Sequence, residues 1–176
     1  MKGGEITIDG SVSSQYISAL LMIAPCLQNG LTLNFSGTII SKPYIQMTLQ
    51  MMSQFGITYQ WDDNTIKIAP QTYKPVDYTV ESDWSASSYW YEIALLSGSG
   101  ATFTLPNLYR ESLQGDAHVK DIFEPLGVTT KFVGNNVQII CDKKAVGHLE
   151  YDFSEQPDLA QTVVVACCCM GTTFHF

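Results

Sequence analysis

Residues 5–9 alternate apolar and polar side chains as a strand does, and residues 13–27 carry apolar side chains at Ile17, Leu20, Leu21, Ala24 and Leu27, a helical spacing. Asn29-Gly30 is expected to end that helix. A second strand is predicted over 31–35, and Pro43 suits the first turn of a helix running to Phe55, with Ile45, Leu49 and Met52 on one face and Gly56 as its cap. Strands over 57–61 and 65–68 flank Asp62-Asp63-Asn64, a hairpin signal.

The same order then recurs. Residues 78–81 read as a strand, a helix runs through 91–96, a strand through 100–105 and a helix through 119–126, and strands cover 128–132 and 137–141. Tyr16-Ile17-Ser18-Ala19-Leu20-Leu21 echoes Tyr91-Glu92-Ile93-Ala94-Leu95-Leu96, and Gly30-Leu31-Thr32-Leu33 echoes Gly100-Ala101-Thr102-Phe103. A third copy starts near Leu149 and reaches the helix-to-strand junction at Gly171-Thr172-Thr173-Phe174. The expected fold class is α/β (α+β), built from repeated βαβαββ units and incomplete in this chain. Residues 3–76 make one unit, residues 77–176 one and a half, and 70–77 the linker.

The helices over 18–27 and 161–170 are apolar nearly all round, which places them inside with the sheets outside, an inversion of the usual layering. The longest apolar runs are too short to cross a bilayer, and the start of the chain has no signal-peptide pattern, so a cytoplasmic protein without membrane contact is expected. Net charge is −8 with the basic residues scattered, which argues against nucleic acid as a partner. Cys26, Cys141 and Cys167-Cys168-Cys169 have neither disulfide nor zinc spacing and read as small buried side chains. His118, His148 and His175 are dispersed. Trp84, Tyr89, Trp90 and Tyr91 read as packing residues.

Asp9-Gly10-Ser11-Val12-Ser13-Ser14-Gln15 sets short hydroxyls ahead of a helix, and Ser41-Lys42-Pro43-Tyr44 does so at the next. Helix N-termini with hydroxyls can hold an anion without a cation, although ordinary capping explains the same residues.

These two strings, with Leu113-Gln114-Gly115-Asp116 and Gln156-Pro157-Asp158-Leu159-Ala160, resemble the 3-phosphoshikimate 1-carboxyvinyltransferase family, and the resemblance spans essentially the whole chain. It implies enolpyruvyl-transferase repeats, an inside-out α/β barrel of which this chain is a central fragment. It also implies transfer of the enolpyruvyl group of phosphoenolpyruvate to the 5-hydroxyl of shikimate 3-phosphate, with no metal or organic cofactor. By the same resemblance Ser13, Ser14, Gln15, Ser41 and Tyr44 hold shikimate 3-phosphate, Gln15 also meets phosphoenolpyruvate, and Asp158 takes the proton of the attacking hydroxyl. The family's cationic phosphoenolpyruvate ligands lie outside this chain, so little turnover by the chain alone is expected, and uncovered apolar helix faces should favour self-association. Two other readings stand beside it: an enzyme like the UDP-N-acetylglucosamine enolpyruvyl transferase, and a non-catalytic binding module.

Overall fold

A computed structural model describes residues 1–142 and 144–176. They fall into two compact units, Met1–Tyr78 and Thr79–Phe176, each with its own buried cluster.

In the first unit, β1 (Gly4–Asp9), α1 (Ser14–Ile23), β2 (Leu31–Ser36), α2 (Lys42–Gln54), β3 (Gln60–Asp62) and β4 (Thr65–Ile68) follow one another. The sheet order is β1-β2-β4-β3. Only β1 and β2 are parallel, in a register that sets Asp9 opposite Ser36. Alternation along β2 sends Leu31, Leu33 and Phe35 to one face, where Ile66 and Ile68 of β4 join them under Ile17 and Leu21 of α1 and Ile45, Leu49 and Met52 of α2. Each such fully buried side chain contributes about 1.5–3 kcal/mol. The opposite face of the sheet carries Thr32, Asn34, Thr65 and Lys67. Across the two helices, the Ser18 and Thr48 hydroxyls meet at 2.8 Å.

The second unit contains α3 (Trp84–Ser97), β5 (Thr102–Leu105), α4 (Val119–Leu126), β6 (Val128–Val133), β7 (Asn136–Cys141), β8 (His148–Glu150), α5 (Pro157–Met170) and β9 (Thr173–His175). Its sheet order β5-β7-β6 reproduces β2-β4-β3 of the first unit, and the parallel pair β8 and β9 around α5 reproduces β1, α1 and β2. The aligned helix positions differ from the sequence echo by one residue. Ile17 and Leu21 are buried as Tyr91 and Leu95 are, an offset of 74 rather than 75, because the facing sheet decides which side chains turn inward.

Several expectations need correction. The first helix ends at Ile23 and passes into a 3-10 turn, Ala24–Cys26, because Pro25 has no N–H with which to continue the ladder. Residues 78–81 form no strand. Their backbone joins no ladder: beside them Ser82 N donates to Asn107 O at 2.8 Å and Asn107 Nδ2 to Val80 O at 2.7 Å, and Val80 is 73% exposed. The two all-apolar helices are covered on one side only among the described residues: Tyr16, Met22 and Ile23 of α1 and Val165 and Met170 of α5 are exposed. Of the five cysteines, Cys141 and Cys167 are buried, whereas Cys26, Cys168 and Cys169 are exposed. Trp84 and Tyr91 are core residues, but Tyr89 and Trp90 are about half exposed.

Candidate functional site

Because β1 and β2 are parallel, the helices that follow them start at the same end of the sheet. At the first start, the Asp9 carboxylate accepts from Ser11 N (2.8 Å) and Ser11 Oγ (2.7 Å), and these bonds hold its pKa below the usual carboxylate range. Gly10 lies between the two loops: its N–H donates to Ser36 O (2.8 Å) and its carbonyl accepts from Ile40 N (3.1 Å). A Cβ here would lie 2.8 Å from Thr38 O, so only glycine fits. Ser13 caps α1, accepting from Gln15 N at a long 3.4 Å, with Ser14 half-buried behind it and Gln15 exposed.

At the second start, Ser41 has φ 54° and ψ 37°, a left-handed conformation rare for serine, and its hydroxyl makes no cap bond to α2. Tyr44 is half-buried one turn on, its N–H donating to Ser41 O at 3.1 Å. Neither helix has an acidic residue in its first turn. Ser13, Ser14, Gln15, Ser41 and Tyr44 therefore share one end of the first unit, where the two helix N-termini and their hydroxyls carry no acidic residue within their own first turns.

Asp158 belongs to the second unit. The turn before it repeats the first: the Asp152 carboxylate accepts from Ser154 N (2.8 Å) and Ser154 Oγ (2.5 Å), which again lowers its pKa, and Gln15 and Asp158 are each the second residue of the helix that follows. A third copy of the turn, Ser85 N to Asp83 Oδ1 at 2.8 Å, opens α3. Asp158 is exposed in the first turn of α5, where a carboxylate is favoured by the helix dipole.

Sequence reasoning missed a polar hub. The Glu81 carboxylate accepts from Trp84 Nε1 (2.8 Å), Tyr109 N (2.8 Å), Ser112 Oγ (2.7 Å) and Gln114 Nε2 (3.1 Å). Gln114, part of a string already singled out, also accepts from Trp84 N and donates to Ser82 O, both at 2.8 Å. Buried Asp116 accepts from the Ser85 hydroxyl, and the Arg110 guanidinium sits 4.5 Å above the Phe132 ring. The only sequence signal for the hub was the position of Gln114 and Asp116 in one motif.

Comparison with known proteins decides the family. The model of the EPSP synthase (3-phosphoshikimate 1-carboxyvinyltransferase) family matches residues 1–175. The chain belongs to this family. It is 48% identical over 177 residues to a 3-phosphoshikimate 1-carboxyvinyltransferase of Bacteroides fragilis, covering all of this chain and 43% of that protein. With one from Methanosphaera stadtmanae it shares 36% identity over 170 residues, covering 93% of this chain and 39% of the relative. The chain thus spans well under half the length of the EPSP synthases it matches. In fold it is similar to EPSP synthase from Acinetobacter baumannii (TM-score 0.64, 16% identity, 96% of this chain and 39% of that one). It is also similar in fold to the enolpyruvyl transferase NikO from Streptomyces tendae (TM-score 0.53, 17% identity, 92% and 41%).

Proposed function

We propose that the chain serves the reaction named for its relatives, transfer of the enolpyruvyl group of phosphoenolpyruvate to the 5-hydroxyl of shikimate 3-phosphate. The observation that carries this reading is the pair of helix starts at one sheet end, rich in hydroxyls and free of acidic residues in their first turns. Ser13, Ser14, Gln15, Ser41 and Tyr44 contribute contacts to shikimate 3-phosphate, and Gln15 a further contact to phosphoenolpyruvate. Such a cradle suits a phosphate in a chain of net charge −8, because amides and hydroxyls supply the donors that cations supply elsewhere. Asp158 serves as the base: its carboxylate takes the 5-hydroxyl proton as that oxygen bonds to C2 of phosphoenolpyruvate and C3 gains a proton, and loss of a C3 proton as the C2–O bond to phosphate breaks restores the double bond and releases phosphate. The names of the relatives favour this over the sugar-nucleotide transferase.

Part of the family's length lies outside this chain, so binding is the proper test. Shikimate 3-phosphate at about 100 times its dissociation constant should add about 2.7 kcal/mol to unfolding stability. Ser14→Ala and Ser41→Ala should each reduce the thermal shift. An unchanged melting temperature at millimolar ligand would count against the reading.

Five free thiols fit a reducing compartment, which supports a cytoplasmic location; among the described residues no helix is long and apolar enough to cross a membrane. The exposed apolar faces of α1 and α5 support self-association.

A further inference from the structure

In the second unit, α3 and α5 pack across a buried bond between the Ser88 and Thr162 hydroxyls at 3.0 Å. Immediately outside it, Gln161 Nε2 donates to the Tyr89 hydroxyl at 3.1 Å. The direction of that bond matters. Because the amide fills a lone pair on the phenolic oxygen, the phenolic proton is left to donate elsewhere, and among the described residues it has no acceptor. Tyr89 is 49% exposed, so this donor faces solvent.

Gln161 and Asp158 are three residues apart on α5, which brings their Cβ atoms to about 5–6 Å on one face of the helix. Tyr89, Gln161 and Asp158 therefore form one exposed polar surface at the helix start that carries the proposed base. Tyrosine suits this place, since its ring keeps the hydroxyl on a rigid arm with few rotamers to lose on binding.

We propose that Tyr89, oriented by Gln161, is a further ligand-contacting residue beside Asp158, donating its phenolic proton to a carboxylate or phosphate oxygen of the ligand. The proposal rests on the reading that Asp158 meets the shikimate ring. Gln161 acts through Tyr89 and is a positioning residue.

The test is a titration of the 176-residue chain with shikimate 3-phosphate, shikimate and inorganic phosphate, followed by amide and tyrosine-ring NMR shifts. It is repeated on Tyr89→Phe, Gln161→Leu and Gln161→Glu, with circular dichroism confirming the fold of each. Tyr89→Phe keeps the ring and should weaken shikimate 3-phosphate on the order of tenfold, the loss of one hydrogen bond to a charged oxygen. Gln161→Glu should weaken it at least as much, because a carboxylate accepts the phenolic proton and turns the donor inward; Gln161→Leu should fall between. A matching loss for shikimate assigns the contact to the carboxylate, and a loss confined to the phosphorylated ligands assigns it to the phosphate. Wild-type affinity in folded Tyr89→Phe, with shifts still seen at Ser14 and Asp158, overturns the proposal and leaves the proposed function standing. Silence at every residue of the wild-type chain overturns both.

Discussion

Ser41 adopts a backbone conformation that an L-residue occupies at a cost of roughly 1–2 kcal/mol, while its hydroxyl caps nothing. Strain of this kind clusters at ligand sites, and it supports the contact proposed for Ser41. Ser41→Gly should raise the stability of the chain by about 0.5–1 kcal/mol, after the greater freedom of glycine in the unfolded state is subtracted, and should weaken shikimate 3-phosphate. Denaturant unfolding with and without ligand reads both effects, and a destabilised variant would refute the strain argument. Titration gives a second handle at this scale. Ser11 lowers the pKa of Asp9, and Ser154 that of Asp152, from an ordinary 3.8. A depressed pKa in the folded state contributes stability that is complete above the unfolded value and is lost as pH falls through the folded one. Carboxyl NMR should place both midpoints below 3.8, and Ser11→Ala should raise that of Asp9 alone.

At the scale of elements, the repeat was legible because each strand and helix carries its own period: the 2-residue alternation of Leu31, Leu33 and Phe35 and the helical spacing of Ile45, Leu49 and Met52 are local facts. What could not be read locally depended on partners far along the chain. Residues 78–81 have a strand-like pattern, yet the Glu81 side chain draws donors from Trp84, Tyr109, Ser112 and Gln114, up to 33 residues away, and the segment joins no ladder. The end of α1 was missed for a smaller reason, one proline inside an apolar run. Within the candidate site, Ser13, Ser14, Gln15, Ser41 and Tyr44 were legible as two strings, but the left-handed turn at Ser41 was not, since serine does not announce it. Glu81→Ala leaves four donors without their acceptor and should destabilise the second unit by about 2–4 kcal/mol. Hydrogen exchange should quicken around Tyr109 and Gln114; a change under about 0.5 kcal/mol would show that water replaces the carboxylate freely.

At the scale of the molecule, two cores, each with a helix layer only partly covered, leave Tyr16, Met22, Ile23, Val165 and Met170 facing water. Apolar faces of this kind associate, so light scattering across a hundredfold concentration range should show mass rising with concentration. Met22→Lys and Val165→Lys should suppress the rise without loss of helix content. A constant monomer mass in the parent chain would remove this expectation.

Gly10 ties the loop leading into α1 to the loop leading into α2 through bonds to Ser36 and Ile40, with Thr38 pressed against its Cα. A selection for altered ligand preference should therefore return changes at Thr38 and Ile39, residues that need touch no ligand, because reshaping that seam moves Ser41 relative to Ser13 and resets the width of the grip.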